Sequence, residues 1–357
     1  MMDRFAPAGR HLPQVASIRA VVLQPVLGHF ARRPQILAEL LERNGLSAGL
    51  LEDPYAPIPL TSYLGLFEDA ARVAGDPMLG ATLGHAIRPG DLGPVGLLVA
   101  QAGSIGAGLA SLARFTAGLQ SGTTAALHRL DDVLIWSYRI EGAPALARRQ
   151  DAEFTLGCCC GLIRGAFDTR WRPVEIQFEH AAAGREGALE KLFGAPVRFG
   201  QSANRLMVRT ADAALVRRQE DRDLILLIER HLSDLIAVGG ERATMAERVQ
   251  SLIGLYMGVR PVSLQTIAAG LKISARSLQR RLAAEGVCLR ELTERHRMRM
   301  ADALLAEGGM SVEAIAAALG YGDGTAFWRA YKKWTGVAPR EVMGRGLGGM
   351  TDCSSTT

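Results

Sequence analysis

Arg276, Gln279 and Arg280 are spaced so that a helix turning by about 100° per residue puts them on one face with Ala283, opposite Leu278 and Leu282. Arginine pairs bidentately with a guanine edge and glutamine with an adenine edge. That face therefore carries hydrogen-bond chemistry suited to the major groove of a duplex. A second stretch is built alike: Phe327, Tyr331 and Trp334 share one face, while Thr325, Trp328, Arg329 and Lys332 lie towards the other. A threonine or an apolar side chain there can touch a thymine methyl. Arg281, Lys332 and Lys333 fall at the edges, where a cation meets phosphate rather than a base.

The elements that must position these faces are visible as a repeat. The segment from Ser263 to Leu271 is echoed by Ser311 to Leu319. Each serine is suited to cap a short helix, and the preceding Val262 and Met310 can staple onto Ile267 and Ile315. A tight turn follows, then a second cap, Ser274 or Asp323, and the basic helix. The copies are offset by 48 residues at the first caps and 49 at the second. Between them, Leu289 to Ala306 reads as one helix with Leu289, Leu292, Met300, Ala303 and Leu304 on its apolar face and His296 as a packing residue. Its length of about 27 Å suits a spacer that sets two recognition helices one DNA turn apart, about 34 Å.

Charge supports this placement. The chain has 357 residues and a net charge of +5. Residues 260–345 hold 14 Lys+Arg against 8 Asp+Glu, leaving 27 against 28 elsewhere. All the positive excess sits beside the basic faces, the footprint of a segment that neutralises phosphates. Only 22% of residues are charged and about half are apolar, which excludes a disordered chain. The five cysteines, three of them consecutive at Cys158, Cys159 and Cys160, do not resemble a disulfide framework. A reducing, cytoplasmic setting is expected, with no secretory signal and no membrane span.

Ahead of this block the pattern is mixed. Helical spacing covers 34–44, 59–74, 104–119 and 150–166. Period-two stretches cover 123–129 and 133–140, with further strands at 174–178 and 205–209. Residues 221–236 read as a helix that links or dimerises, and from Thr244 onward everything reads as helix. The expected fold is an α+β amino-terminal regulatory domain, helices with a small mixed sheet. An all-α domain follows, with two helix-turn-helix units joined by a linker helix. The expected division is a flexible tail at 1–17, an effector-sensing and dimerisation domain at 18–215 and a linker helix region at 216–240. A DNA-binding domain at 241–343 and a disordered tail at 344–357 complete it.

The carboxy-terminal segment resembles the DNA-binding domain of the AraC/XylS family of regulators. The match is Ile315-Ala316, then Leu319-Gly320-Tyr321, then Ala326-Phe327-x-Arg329-Ala330-Tyr331-Lys332-Lys333-Trp334-x-Gly336-x-x-Pro339. The first copy matches through Ser274-x-Arg276-x-Leu278-Gln279-Arg280-Arg281-Leu282 and Gly286. The amino-terminal half resembles the arabinose-binding-type regulatory domain of one branch, through Arg88 to Gly93, Arg170 to Pro173 with Phe178-x-His180, and Phe193 to Gly200. By matching position the resemblance puts base reading on Arg276, Gln279 and Arg280, and on Gly324, Thr325, Trp328 and Arg329. It implies a sequence-specific, effector-responsive activator of metabolic genes, working with promoter DNA and RNA polymerase on the nucleoid and able to form a homodimer. It implies no enzyme activity, cofactor or metal. Two positions depart from the pattern. Lys272 stands where the family usually has glycine, at a cost of about 1 kcal/mol if its φ is positive. Trp328 stands where a small residue is common.

Other polar groups have plainer readings. Three consecutive helical residues point about 100° apart, so Cys158, Cys159 and Cys160 cannot easily share a tetrahedral metal and read as buried apolar residues. Gly320-x-Gly322-x-Gly324 lies between helices and reads as a turn rather than a nucleotide loop. His180 follows a strand with no ligand spacing around it. Arg148-Arg149-Gln150-x-x-Glu153 reads as a solvated helix start; the sharper alternative is an effector-binding site for an anion on Arg148 and Arg149. Two other functions compete with the regulator: a thiol alkyl-acceptor enzyme fused to a DNA-binding module, which needs an exposed low-pKa cysteine, and an effector-independent architectural binder.

Overall fold

A computed structural model describes residues 16–343, apart from 48, 50–51, 141–145, 240–243 and 308–309. The expected tail at 344–357 lies outside the described residues, as does the expected amino-terminal tail as far as residue 15. Ser17, assigned to that tail, instead opens strand β1 (Ser17–Arg19). It is fixed there because its N–H donates to the Ser121 hydroxyl at 2.8 Å. Helices α1 (Gln24–Phe30) and α2 (Pro34–Arg43) follow, the second stopping at Gly45 with φ 66. Strand β2 (Pro57–Pro59) returns antiparallel to β1. Helix α3 (Leu60–Ala74) buries Tyr63, Leu64 and Phe67.

Helices α4 (Leu79–His85) and α5 (Gly93–Gln101) show no clear period in the sequence. The glycines that weaken α4 as an isolated helix let it press against α7 (Arg149–Ala166). A Cβ at Gly84 would collide with the Phe154 carbonyl. Helix α6 (Ile105–Leu119) is capped by Ser104, whose hydroxyl accepts the Ala107 N–H at 3.2 Å.

The five-stranded sheet comprises β3 (Thr123–Leu130), β4 (Val133–Ile140), β5 (Glu175–Gln177), β6 (Val197–Arg198) and β7 (Asn204–Arg209). Its order is β3-β4-β7-β5-β6, with only the β5–β6 pair parallel. Helix α8 (Glu186–Phe193) lies between β5 and β6 in the chain, and α9 (Thr210–Ala214) follows β7. Strand side chains alternate between faces. Trp136, Tyr138, Leu206 and Val208 join the helical core on one side. Ser137, Arg139 and Arg205 are directed to the other.

That other side is covered by the helices that begin at Met245. Helix α10 (Arg222–Gly239) lies on α5 and α6, with Leu232 buried and Arg114 bridged to Glu229 at 3.1 Å. It is thus packed against the amino-terminal body. Helix α11 (Met245–Tyr256) then lies across β3 and β4, and Ala203 belongs to its core. The first helix pair is α12 (Leu264–Gly270) and α13 (Ala275–Ala284), and α14 (Leu289–Glu307) leads to the second pair. That pair is α15 (Val312–Ala318) and α16 (Gly324–Thr335), closed by α17 (Pro339–Met343). One expectation for α14 is corrected. Ala303 is exposed, whereas Ala301 and Leu305 are buried with Met300 and Leu304. The buried stripe is the one that shares a core with Ile315, Leu319, Phe327 and Tyr331 of the second pair. No helix among the described residues is long and apolar enough to cross a membrane.

Candidate nucleic-acid interface

Each short helix is capped as its sequence requires. Ser263 accepts the Thr266 N–H at 3.1 Å, Ser274 that of Ser277 at 3.2 Å, Ser311 that of Ala314 at 3.1 Å and Asp323 that of Ala326 at 2.6 Å. Ile267, Leu278 and Leu282 are buried in the first pair, and Ile315, Phe327 and Tyr331 in the second. The Tyr331 hydroxyl donates to Asp302 at 2.8 Å, which ties α16 to α14. The two turns differ. Gly320 takes φ 71 without strain, but Lys272 takes φ 55 with a full side chain.

With those faces buried, the opposite faces are open. Arg276, Gln279, Arg280 and Arg281 are exposed on α13, and Thr325, Trp328, Arg329, Lys332 and Lys333 on α16. Among the described residues, none of these cations is engaged in an ion pair. Lys332 stands 5.0 Å over the Trp328 ring, so the indole and the ammonium form one unit. The charge block is less free than its count implies, because α14 occupies several of its arginines. Arg290 pairs with Glu294, Arg295 with Glu291, and Arg297 donates to the Leu319 carbonyl at 3.1 Å.

The helix start at Arg148 is not solvated. Arg148, Gln150, Asp151 and Glu153 are all buried, which overturns that expectation. Their partners arrive from distant chain segments that no local pattern reveals. Arg148 meets Glu179 at 2.9 Å and donates to the Ile140 carbonyl at 2.7 Å. Glu179 also accepts from Arg139 at 2.9 Å and from Asn204 at 3.0 Å. An anion at Arg148 would have to displace Glu179. Arg149 stands 3.5 Å from Glu68. Glu153 receives Arg185 at 2.6 Å, and burial raises its carboxyl to about 7. His180, 3.4 Å from Glu153, is lowered by burial to about 3 and stays neutral.

Two groups of residues escaped the sequence reading. The first joins the sheet to the helix pairs. Arg205 donates to the Ser202 hydroxyl at 2.7 Å and to the Leu255 and Met257 carbonyls at 3.0 and 2.8 Å. It thereby caps the carboxy-terminal end of α11, where a cation is favoured. The Arg139 side chain reaches Gly254 of α11, where His296 of α14 also arrives. The signal was present: Ser137 and Arg139 interrupt an otherwise apolar strand at period two. The second group lines a cavity of about 60 Å³ beneath β4, where Asp151 accepts hydrogen bonds from Tyr63 at 2.8 Å and Tyr138 at 2.7 Å. Cys158 and Cys159 are on its wall. Burial raises all three thiols, Cys160 to about 12, opposite to a reactive thiolate. No cluster of metal-ligating residues occurs among the described residues.

Two capped helix pairs with open basic faces, joined by one helix and seated on a separate mixed body, define a helix-turn-helix DNA-binding regulator. Residues 37–216 match the family model described as the arabinose-binding domain of AraC transcription regulators, and residues 267–345 match a helix-turn-helix domain. The chain belongs to the AraC family of transcription regulators. It is 27% identical over 325 residues to the HTH-type transcriptional regulator VirS of Mycobacterium tuberculosis, covering 87% of this chain and 91% of VirS. It is 22% identical over 293 residues to the ornithine utilization regulator of Pseudomonas aeruginosa, covering 82% and 86%. The crystal structure of the transcriptional regulator CdpR from Pseudomonas aeruginosa aligns with 88% of this chain and 98% of its own, at 22% identity and a TM-score of 0.42.

Proposed function

We propose that this chain is an effector-responsive activator that reads two successive major grooves of promoter DNA with the helices near 274–284 and 323–334. Arg276, Gln279 and Arg280 read bases from the first helix, and Thr325, Trp328 and Arg329 from the second. Arg281, Lys332 and Lys333 hold phosphates. The first helix is the stronger reader, because its polar groups are free, whereas Trp328 and Lys332 are stacked together and favour shape and backbone contacts. The observation that carries this reading is the pair of capped helices whose arginines face solvent without an ion-pair partner among the described residues.

Response to an effector is supported by the wiring of β4. Trp136 and Tyr138 face the cavity, while Arg139, one residue on, reaches α11 beside His296 of the linker helix. A shift of β4 would therefore reach α11 and the linker helix that joins the two pairs, a coupling that an architectural binder has no use for. Exposed Leu226 and Leu227 on the outward side of α10 supply an apolar contact for a homodimer. The regulated genes are metabolic, by analogy with the relative named for ornithine utilization, and the bound chain positions RNA polymerase. It acts in the cytoplasm, on the nucleoid, and its domains divide near residues 215 and 240. Footprinting of the full chain on its own upstream region tests the reading. Two protected half-sites about one turn apart are expected, with protection altered by an effector. A single site, or uniform protection of any sequence, would refute it.

A further inference from the structure

The cavity beneath β4 is small, mostly apolar and unevenly furnished. Ile18, Val22, Leu112 and Leu162 form apolar walls, while Asp151, Tyr63, Tyr138, Gln120, Thr116 and Thr155 gather the polar atoms. Such a void with a few convergent polar groups is the usual form of a small-molecule site. Asp151 is buried and forms no ion pair among the described residues. The nearby Arg148 directs its guanidinium to Glu179 and the Ile140 carbonyl instead. Two tyrosine hydroxyls donate to the Asp151 oxygens, which favours the anion, yet burial outweighs them and raises its carboxyl to about 6. A buried carboxylate held by neutral donors alone is a costly arrangement that a cation relieves. The Trp136 indole N–H is a second unmatched group. Trp136 lines the same cavity, and its Nε1 is buried with no acceptor among the described residues.

We propose that this cavity binds a short primary amine with a compact apolar body, its ammonium seated on Asp151 between Tyr63 and Tyr138. The proposal rests on the effector-responsive reading above and supplies its ligand class. Size sets the body. A cavity of about 60 Å³ is less than half the ~150 Å³ of an apolar cavity that admits benzene. It therefore selects chains of a few carbons and rejects rings. An oxygen acceptor on such a body would also satisfy the Trp136 N–H. The site is distinct from Arg148 and Arg149, and it prefers a charge of the opposite sign to the one those arginines would take.

The test titrates the full-length chain at pH 8 with propylamine and 1-propanol, by ligand-observed NMR and by thermal shift. Propylamine is expected to bind at least about tenfold tighter than the alcohol, because only the amine neutralises Asp151. Asp151→Asn should bring the two within about twofold, erasing most of the roughly 1.4 kcal/mol that a factor of ten represents. Thr116→Met keeps the carboxylate but fills the void, and should abolish amine binding. Equal or undetectable binding of amine and alcohol by the wild-type chain would overturn the site, as would amine binding retained in folded Thr116→Met. Water in the cavity would give that null result. A second readout, DNA affinity with and without propylamine, separates the two claims. Amine binding that leaves DNA affinity unchanged keeps the site and removes its role as the effector switch. DNA affinity altered by other metabolites, with no amine bound, removes the site and keeps the response.

Discussion

Arg148 and Arg280 are the same kind of residue put to opposite uses. Arg148 is walled in, and both its amino groups are engaged by Glu179 and a backbone carbonyl. Arg280 stands in solvent on α13 with no ion-pair partner among the described residues. The contrast runs through the molecule. The amino-terminal body turns Arg148, Glu153, Glu179 and Arg205 inward, where each charge is matched to another group. The helix pairs turn theirs outward, where they await an acidic surface. Mutation should therefore unfold the first region and disarm the second.

The largest effect expected is on Glu179. Glu179→Ala leaves the buried Arg148 without its carboxylate and takes one partner from the half-buried Arg139, and should cost about 3–5 kcal/mol in chemical denaturation. A loss below about 1 kcal/mol would break the contrast at its strongest point. Next comes Asp151. Its folded carboxyl is raised to about 6, so the penalty of burying the anion is full above that pH and vanishes below the unfolded value of about 4. Asp151→Asn removes the penalty. Its stability relative to wild type should thus be most favourable above pH 6 and should fall, by about 3 kcal/mol at most, as pH drops to 4. A flat difference would show that Asp151 is not the buried anion described.

On the outward side, Arg280→Ala should leave denaturation unchanged and cost about 1–3 kcal/mol on the cognate site, relaxing one base preference. Lys333→Ala should weaken all sequences alike and reduce the salt slope by about 1. Identical effects of both on specific and random DNA would erase the distinction between reading and holding. The smallest effect sharpens the difference between the two turns. Lys272→Gly removes the strain at φ 55 and should stabilise the first helix pair by about 1 kcal/mol, whereas Gly320→Ala should destabilise the second by a similar amount.

The same contrast explains what could be read from the sequence. The helix pairs were legible because their determinants are local: a capping serine, a staple and an apolar residue every three or four positions. All four caps form the expected hydrogen bonds. The amino-terminal body was legible only in outline. The hairpin of β3 and β4 showed itself through period two and Asp131, which takes φ 52 at the turn. The cluster at Arg148 was misread because its partners, Glu179 and Asn204, are about 30 and 55 residues away in sequence, and long-range pairing leaves no periodic trace. Helix α4 was missed because its glycines serve contact with α7 rather than helix propensity.

The linker helix carries a consequence for how such a protein and its operators can change together. α14 runs 19 residues without a break. Adding one residue turns everything beyond it by about 100° and advances it by about 1.5 Å. Adding one base pair to a duplex turns the next half-site by only about 35° and advances it by about 3.4 Å. Matching one extra residue in angle takes about three base pairs, and those carry the half-site some 10 Å away. The two screws have incommensurate pitches. With both helix pairs in the groove, single insertions on either side cannot compensate one another, and the spacing between half-sites behaves like the tooth count of a meshed gear.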